Sequence, residues 1–165
     1  MNLLILGAGG HGKVVEEIAQ STGLFNKIGV LDDMVELAVG KLCDAERLHN
    51  EYEAAFVSIG NNALRKELLE KLRQIGFIIP VIVHPTAFVS PSAFVGEGTL
   101  VGPMVCVNSS AAVGKGCILS IGAKVDHNAV VGDYAHINSG AICMARSRVN
   151  ACEKIEAGEV VSPVK

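Results

Sequence analysis

The chain has no tryptophan, two tyrosines and five phenylalanines, so aromatic residues make up only 4% of its 165 residues. Proteins that hold single-stranded nucleic acid by stacking need aromatic platforms, and duplex binders need a basic footprint. The net charge here is −3, so no nucleic-acid partner is expected. No apolar run reaches the roughly 18 residues that cross a bilayer, so no membrane insertion is expected either. The opening MNLLILG lacks a basic stretch and a small-residue cleavage site, and is expected to be a strand rather than a signal peptide. Five cysteines lie scattered at positions 43, 106, 117, 143 and 152, with no CxxC pair and no Cys/His zinc spacing. Reduced thiols in a cytoplasmic protein, and no metal site, are the expectation.

What the chain does have is a period of six. From Val83 to Val161 every sixth residue is Val, Ile or Leu, with Cys143 the one exception among fourteen positions. Chance gives such a series on the order of once in 10⁵. Six is the period of neither a helix nor a simple strand; it marks a repeat architecture. Four residues after each anchor sits a small residue, as in Ala87, Ala93, Ala111, Ala123 and Ala135, and Gly, Ser or Asn often follows the anchor directly, as in Ser90, Gly96, Gly102 and Asn108. One aliphatic and one small inward residue per six describe a short strand and a tight corner. Three such flats close a triangular coil whose backbone bonds to the next coil about 4.8 Å along the axis. Cys117 and Cys143 fall on inward positions, where a thiol behaves as a small hydrophobe. Glu153 and Glu159 take the small position near the end, which is expected where the final coil opens to solvent.

Residues 1–80 lack this period and residues 81–165 carry it, which predicts two domains. In the first, Leu3 to Leu6 is a strand-like run that ends in Gly7-Ala8-Gly9-Gly10-His11-Gly12-Lys13, and Val14 to Thr22 has helical spacing. Gly7, Gly9 and Gly12 match GxGxxG, whose glycines let a phosphate approach the backbone at a helix N-terminus. Lys27 to Leu31 reads as a second strand ending in Asp32-Asp33. Ala54 to Ile59 reads as a third, ending in Gly60-Asn61-Asn62. Leu64 to Ile75 reads as an amphipathic helix with Lys and Arg on its outer face. Three strand ends with polar tips would converge on the edge where open α/β sheets bind ligands. About 80 residues allow only a half-Rossmann unit, which suits a nucleotide attached to something else better than a dinucleotide. Gly7, Gly9, Gly10, His11, Gly12, Asp32, Asp33, Gly60, Asn61 and Asn62 are the candidate substrate-binding residues. Tight packing alone would also account for the glycines, and His11 could equally be a surface residue at the helix start.

The order of these parts is informative: glycine loop, Asp32-Asp33, Ile59-Gly60-Asn61-Asn62, a Lys/Arg helix, then Gly76-Phe77 and His84-Pro85-Thr86-Ala87 running into the coils. It resembles the sialic acid O-acetyltransferase group of sugar acetyltransferases, which includes the nucleotide-linked amino-sugar N-acetyltransferases of the bacillosamine and perosamine type. The likeness covers nearly the whole chain, and GAGGHGKVV, SIGNNALRKELLEKL and IVHPTAFVSPSA are specific in combination. It implies an α/β N-terminal half-Rossmann unit that holds a nucleotide sugar, followed by a short left-handed parallel β-helix of about four to five coils. The handedness comes from the resemblance, since general rules favour right-handed crossovers. It also implies a homotrimer, with acetyl-CoA as acyl donor in the groove between neighbouring β-helices, acting in bacterial surface glycan biosynthesis.

In the segment Val125 to Ala141, His127 matches the general base of that group. Imidazole, with an ordinary pKa near 6.5, can take a proton near neutrality. By resemblance His136 and the Ser139-Gly140-Ala141 backbone contact the acyl-CoA. His127 and His136 lie nine residues apart, half a coil, and so on different parts of the prism; they can meet only across a subunit boundary. The chain departs from the pattern in three places. Asn128 stands where Glu or Asp usually follows the histidine, while Asp126, as a neighbouring strand residue, is expected to point the other way. Ala145 replaces a Gly that often closes the next motif. The closing Val160-Val161-Ser162-Pro163-Val164-Lys165 follows the histidine segment after about one coil, sooner than in relatives. These departures keep two alternatives open: a non-catalytic trimeric binding or scaffold protein, and an acetyltransferase for a small amino acid such as serine.

Overall fold

The computed structural model describes residues 1–163, and in it the chain divides into two compact units, Met1–Pro80 and Val81–Lys165. Val164 and Lys165, the last residues of the closing motif, lie outside the described residues.

The first unit is built on a three-stranded parallel sheet. Strand β1 (Asn2–Leu6) lies between β2 (Lys27–Leu31) and β3 (Ala54–Val57). Its Leu3, Leu4, Ile5 and Leu6 are all buried, as a central strand covered on both faces requires. Helix α1 (Gly10–Thr22) buries Gly12, Val15, Ile18 and Ala19. It starts four residues before the apolar spacing becomes visible at Val14, because the turn glycines are already wound into it. A short 3₁₀ turn (Leu42–Asp44) and the four-residue α2 (Ala45–Leu48) precede β3. Helix α3 (Asn62–Ile75) is capped by the Asn61 side chain, which accepts from Leu64 N–H at 3.0 Å. Its buried face corrects the sequence reading. Arg65, Leu69 and Leu72 form the inward stripe at i, i+4 and i+7, whereas Leu64 is 39% exposed. Arg65 is therefore an interior residue, not one of the outer cations.

The second unit is a left-handed parallel β-helix of about four turns. Fourteen two-residue strands, β4 to β17, are found among the described residues. Every third strand stacks in one sheet. The first holds β4 (Ile82–Val83), β7 (Leu100–Val101), β10 (Ile118–Leu119), β13 (His136–Ile137) and β16 (Lys154–Ile155). The second holds β5 (Phe88–Val89), β8 (Cys106–Val107), β11 (Lys124–Val125), β14 (Ile142–Cys143) and β17 (Val160–Val161). The third holds β6 (Phe94–Val95), β9 (Ala112–Val113), β12 (Val130–Val131) and β15 (Arg148–Val149). Leu119 pairs with Val101 on one side and Ile137 on the other, so anchors from successive coils form one column. Val101, Val107, Val113, Leu119, Ile137 and Cys143 are wholly buried, and the small inward residues Ala123, Ala129, Ala135 and Ala141 fill the space between them. Of the outward apolar residues, Met104 is 62% exposed and Val130 and Ile142 are partly covered. Ile118 is 1% exposed, as are Ile82 and Leu100 in the same row, so these three outward side chains are buried in the single chain.

The corners obey a second six-residue rule. Gly98, Met104, Ser110, Gly116, Gly122, Asn128, Tyr134, Gly140, Arg146, Cys152 and Gly158 all have φ between 56° and 71°. The left-handed conformation costs an L-residue about 1–2 kcal/mol, and the solenoid accepts that cost at the six non-glycine corners. Each of these corner amides from Gly116 onwards bonds a carbonyl of the preceding coil, as in Gly116 N–H to Glu97 O (2.8 Å) and Asn128 N–H to Ser109 O (3.1 Å). Glycines directly after the anchor are needed for a different reason. A Cβ on Gly132 would lie 2.5 Å from the Ala151 nitrogen and 2.8 Å from the Asn150 carbonyl carbon, whereas one on Gly122 would meet nothing within 4 Å. Gly122→Ala should cost about 1–2 kcal/mol through its dihedral alone. Gly132→Ala should cost more, because backbone of the next coil must move. Thermal unfolding of the two variants checks this order; equal losses would show that the coils are not stacked this tightly.

Candidate functional site

In the α/β unit the three strand ends meet as the sequence order implies. Gly12 and Gly7 are in such close contact that a Cβ on Gly12 would collide with the Gly7 carbonyl oxygen. Ser58, buried at the end of β3, donates to the Leu6 and Gly7 carbonyls at 2.9 and 2.7 Å. Asp32 Oδ2 accepts from Ala8 N–H at 2.7 Å and Oδ1 from Met34 N–H at 2.9 Å. These two amides, Ala8 first, hold the Asp32 carboxyl below its usual range. Asp33 Oδ1 accepts from Leu42 N–H at 3.0 Å. Both aspartates thus brace the loops around the turn. Helix α1 begins at Gly10, with Gly9 at the cap position; it has no side-chain cap and no acidic residue in its first turn, so its first amides are open to an anion. The space where Cβ atoms would stand on Gly9, Gly10 and Gly60 is empty to 4 Å. A cavity of about 260 Å³ beside the turn is lined by Ala8, Lys13, Glu16, Val30, Val35, Leu37 and Ala38. A second hollow, about 250 Å³, is lined by Asp32, Asp33, Met34, Val35, Glu36, Ala38, Gly40 and Lys41.

His11 is half-buried. Its Nε2 has no hydrogen-bond partner among the described residues, and burial, then the Arg65 charge, lowers its pKa. Asn61 spends its side-chain oxygen on the α3 cap, and Asn62 Oδ1 accepts from Arg65 Nη2 at 2.8 Å. His49, to which the sequence assigns no role, packs edge-on against Phe77 with ring centroids 4.7 Å apart. Ser58 and Arg65 are the site residues that sequence reasoning missed. The only signal for either was a polar residue at a position where the strand or helix pattern calls for an apolar one.

In the solenoid, His127 is exposed at the corner between β11 and β12. Its backbone is fixed on both sides: the amide donates to Asp126 Oδ1 at 2.7 Å, and the carbonyl accepts from Arg146 N–H at 3.1 Å. Asp126 also accepts from Asn108 Nδ2, one coil away, at 2.9 Å. The His127 amide and the Asn108 side chain hold the Asp126 carboxyl low. Asp126 thus grips the histidine backbone rather than pointing away from it, because it belongs to the corner and not to the strand. The ring is held by Asn128, whose Oδ1 lies 3.1 Å from His127 Nδ1. An amide oxygen only accepts, so the contact calls for a proton on Nδ1, and in a neutral ring so arranged Nε2 is the acceptor. A hollow of about 170 Å³ adjoins this corner, lined by Cys106, Asn108, Lys124, Val125, Asp126 and Ile142.

His136 opens β13, on a different sheet from β11, with Nε2 3.0 Å from Ser120 Oγ. Within one chain the two histidines therefore belong to different flanks. Ser139 and Gly140 are exposed at the next corner, and Gly140 has open space at its Cβ position. Ala141 is turned inward: its side chain is buried, its amide donates to Asn138 O, and its carbonyl accepts from Lys124 N–H. Ala145 is partly exposed, one coil on from His127 and two from Ser109 in register. The Cys143 thiol is buried in the core; that burial, with the Glu153 charge, raises its pKa to about 11, so it is inert. Among the described residues there is no metal-binding cluster, and no helix is long and apolar enough to cross a membrane.

Residues 2–72 match the PglD N-terminal domain. A UDP-N-acetylbacillosamine N-acetyltransferase from Bacillus subtilis (strain 168) is 33% identical over 110 residues, covering 61% of this chain; the match spans about half, 50%, of that relative's length. Among solved structures, a perosamine N-acetyltransferase from Caulobacter crescentus, a histidine-to-asparagine mutant in complex with CoA and GDP-perosamine, is 29% identical over 99% of this chain and 89% of its own, with a TM-score of 0.79. The acetyltransferase domain of PglB from Neisseria gonorrhoeae FA1090, in complex with acetyl coenzyme A, is 30% identical over 98% of this chain and 91% of its own, with a TM-score of 0.88. The chain belongs to the sialic acid O-acetyltransferase and nucleotide-linked amino-sugar N-acetyltransferase family of hexapeptide-repeat acyltransferases, the family of the bacillosamine and perosamine enzymes.

Proposed function

We propose that the protein transfers the acetyl group of acetyl-CoA to an amino or hydroxyl group of a nucleotide-linked sugar, with His127 as the general base. The observation that carries this reading is the His127–Asn128 pair. It sets an acceptor beside Nδ1 of an exposed imidazole, which favours the neutral tautomer whose Nε2 can accept a proton. Acetyl-CoA supplies an acyl group already activated as a thioester, so this chain need only position the acceptor and remove its proton. The acceptor nitrogen or oxygen forms its bond to the acyl carbon as the carbon–sulfur bond breaks. The acceptor proton goes to His127, and the thiolate leaves with the CoA. His136, held by Ser120, and the exposed Ser139-Gly140 backbone are the groups that would face the acyl-CoA. The uncapped start of α1 and the open glycines of the turn would take the diphosphate of the nucleotide sugar. The neighbours' ligands, acetyl coenzyme A in one case and CoA with GDP-perosamine in another, support both assignments. The proposal includes a cytoplasmic reaction, with which five free cysteines agree.

His127→Ala should lower kcat by about 10²–10⁴-fold and leave nucleotide-sugar affinity nearly intact. Steady-state kinetics with acetyl-CoA against a panel of nucleotide sugars, free sugars and serine tests this and identifies the acceptor class. Failure to bind acetyl-CoA at millimolar concentration would sink the enzyme reading in favour of a binding or scaffold protein.

Asn128 gives a finer check. Asn128→Ala should lower turnover by about tenfold by releasing the ring. Asn128→Glu, which keeps an acceptor for Nδ1 and adds charge, should keep or exceed wild-type turnover. Equal losses in both would show that Asn128 does not orient the base.

The same reading makes the protein a homotrimer with its sites between subunits. His127 and His136 lie on different flanks of one chain. Phe94, Met104 and Phe88, at 64%, 62% and 56% exposed, leave apolar surface on the coils that an isolated prism would show to water. Sedimentation equilibrium should give three times the 17.3 kDa chain mass; a monomer at micromolar concentration refutes the shared site.

A further inference from the structure

Arg65 is among the largest side chains in the molecule to be fully buried, at 1% exposed. Burying a guanidinium is costly unless its donors are satisfied, and an apolar residue of similar volume is often as stable or more so. Packing alone therefore does not explain it, and the direction of its bonds is informative. Nη1 donates to the Ile59 carbonyl at 2.9 Å and, at 3.4 Å, to that of Gly60, while Nη2 donates to Asn62 Oδ1 at 2.8 Å. Ile59 and Gly60 lie in the turn between β3 and α3, and Asn62 is the first residue of α3. That turn adjoins the glycine turn: Ile59 Cγ1 lies 3.1 Å from where a Gly7 Cβ would stand, and Ser58 ties the same strand end to the Gly7 carbonyl. The Arg65 charge is also felt at His11, on the first turn of α1.

We propose that Arg65 is a positioning residue for the nucleotide diphosphate, clamping the Ile59–Asn62 turn against the glycine turn so that Gly60 and the first amides of α1 share one anion-accepting surface. The inference rests on the reading of the α/β unit as the nucleotide holder. Arg65 touches no ligand in this role. Its planar fork spans two carbonyls and an amide oxygen together, a geometry a lysine ammonium does not reproduce, and it stays cationic at any working pH. The carbonyl of Gly60, tied inward, is also kept from facing an incoming phosphate.

The test is calorimetric binding of UDP and of GDP to the whole protein, with acetyl-CoA binding measured on the same samples. Arg65→Met should weaken the nucleotide the wild type prefers by about 10–100-fold, as expected for losing hydrogen bonds from a charged donor, and leave acetyl-CoA affinity within twofold. Arg65→Lys should fall between the two. A purely structural role would lower the unfolding midpoint and depress both ligands through the folded fraction alone. Folded Arg65→Met that binds the nucleotide within twofold of wild type overturns the proposal. If Arg65→Met does not fold, Arg65→Lys decides: a loss of about 3–10-fold for the nucleotide alone supports the clamp, and wild-type affinity overturns it. A wild-type protein that binds acetyl-CoA and neither nucleotide overturns the nucleotide reading itself, and the clamp with it; failure of the clamp alone shows only in the variants.

Discussion

The backbone bonds that run from each coil to the next, with residues eighteen apart in register, are the constraint on which the histidine corner depends. A six-residue flat of Val, Ala and Gly has little to hold it alone. It is held because its strand amides bond the following coil, as Asn108 N–H bonds Val125 O, and its corner amide bonds the preceding one, as Asn128 N–H bonds Ser109 O. His127 inherits its place from that stack. Its carbonyl receives Arg146 from the coil after, and its amide is held by Asp126, which is itself held by Asn108 from the coil before. Three successive coils therefore fix the backbone from which one imidazole projects. Side chains on rigid, repeated backbone keep a tighter geometry than side chains on a free loop, which suits a base that must meet an acceptor within hydrogen-bond reach.

Much of this was legible in the sequence, for a physical reason. The anchor column must be aliphatic because it is dry, and the inward small position must be small because three flats meet there. Both demands act on side-chain chemistry and leave a visible period. The left-handed corner leaves almost none. It is a demand on backbone dihedrals, and a stack of coil-to-coil bonds can hold Met104, Tyr134 or Cys152 there against their preference. The rule is hidden because only some corners are glycine. The α/β unit shows the same contrast. Strand β2 could be placed residue for residue, since its apolar run ends sharply at Asp32-Asp33. Arg65 could not, because its pattern position is that of a core residue and its chemistry that of a surface one.

Inward polar groups show how narrow the tolerance of the coil is. Thr99 and Ser147 occupy the same repeat position, and both are wholly buried. Thr99 Oγ1 donates to Gly114 O at 2.9 Å and accepts from Cys117 N–H at 3.0 Å, so its hydroxyl replaces bonds that water would make. Ser147 Oγ finds no partner among the described residues, and an orphaned buried hydroxyl costs about 1–3 kcal/mol. A hydroxyl at the inward position costs least where a neighbouring carbonyl is within reach, as at Thr99, and alanine, which fills the position in most coils, avoids the question.

Asn128 meets two demands that pull on residue type in different directions. Its corner requires φ near 60°, which favours glycine and, after it, Asn and Asp. The ring of His127 requires an acceptor one residue away, which excludes glycine. Glutamate supplies the acceptor and a charge but brings the full steric cost of the left-handed region; asparagine supplies the acceptor at a lower conformational cost. What the neutral amide gives up is the carboxylate's attraction for an imidazolium as the proton arrives. The corner thus sets a balance between backbone fit and electrostatic assistance to the base. A solenoid whose coils hold five other non-glycine residues in this conformation can support either choice, so the identity of residue 128 is decided by the chemistry at His127 as well as by the fold.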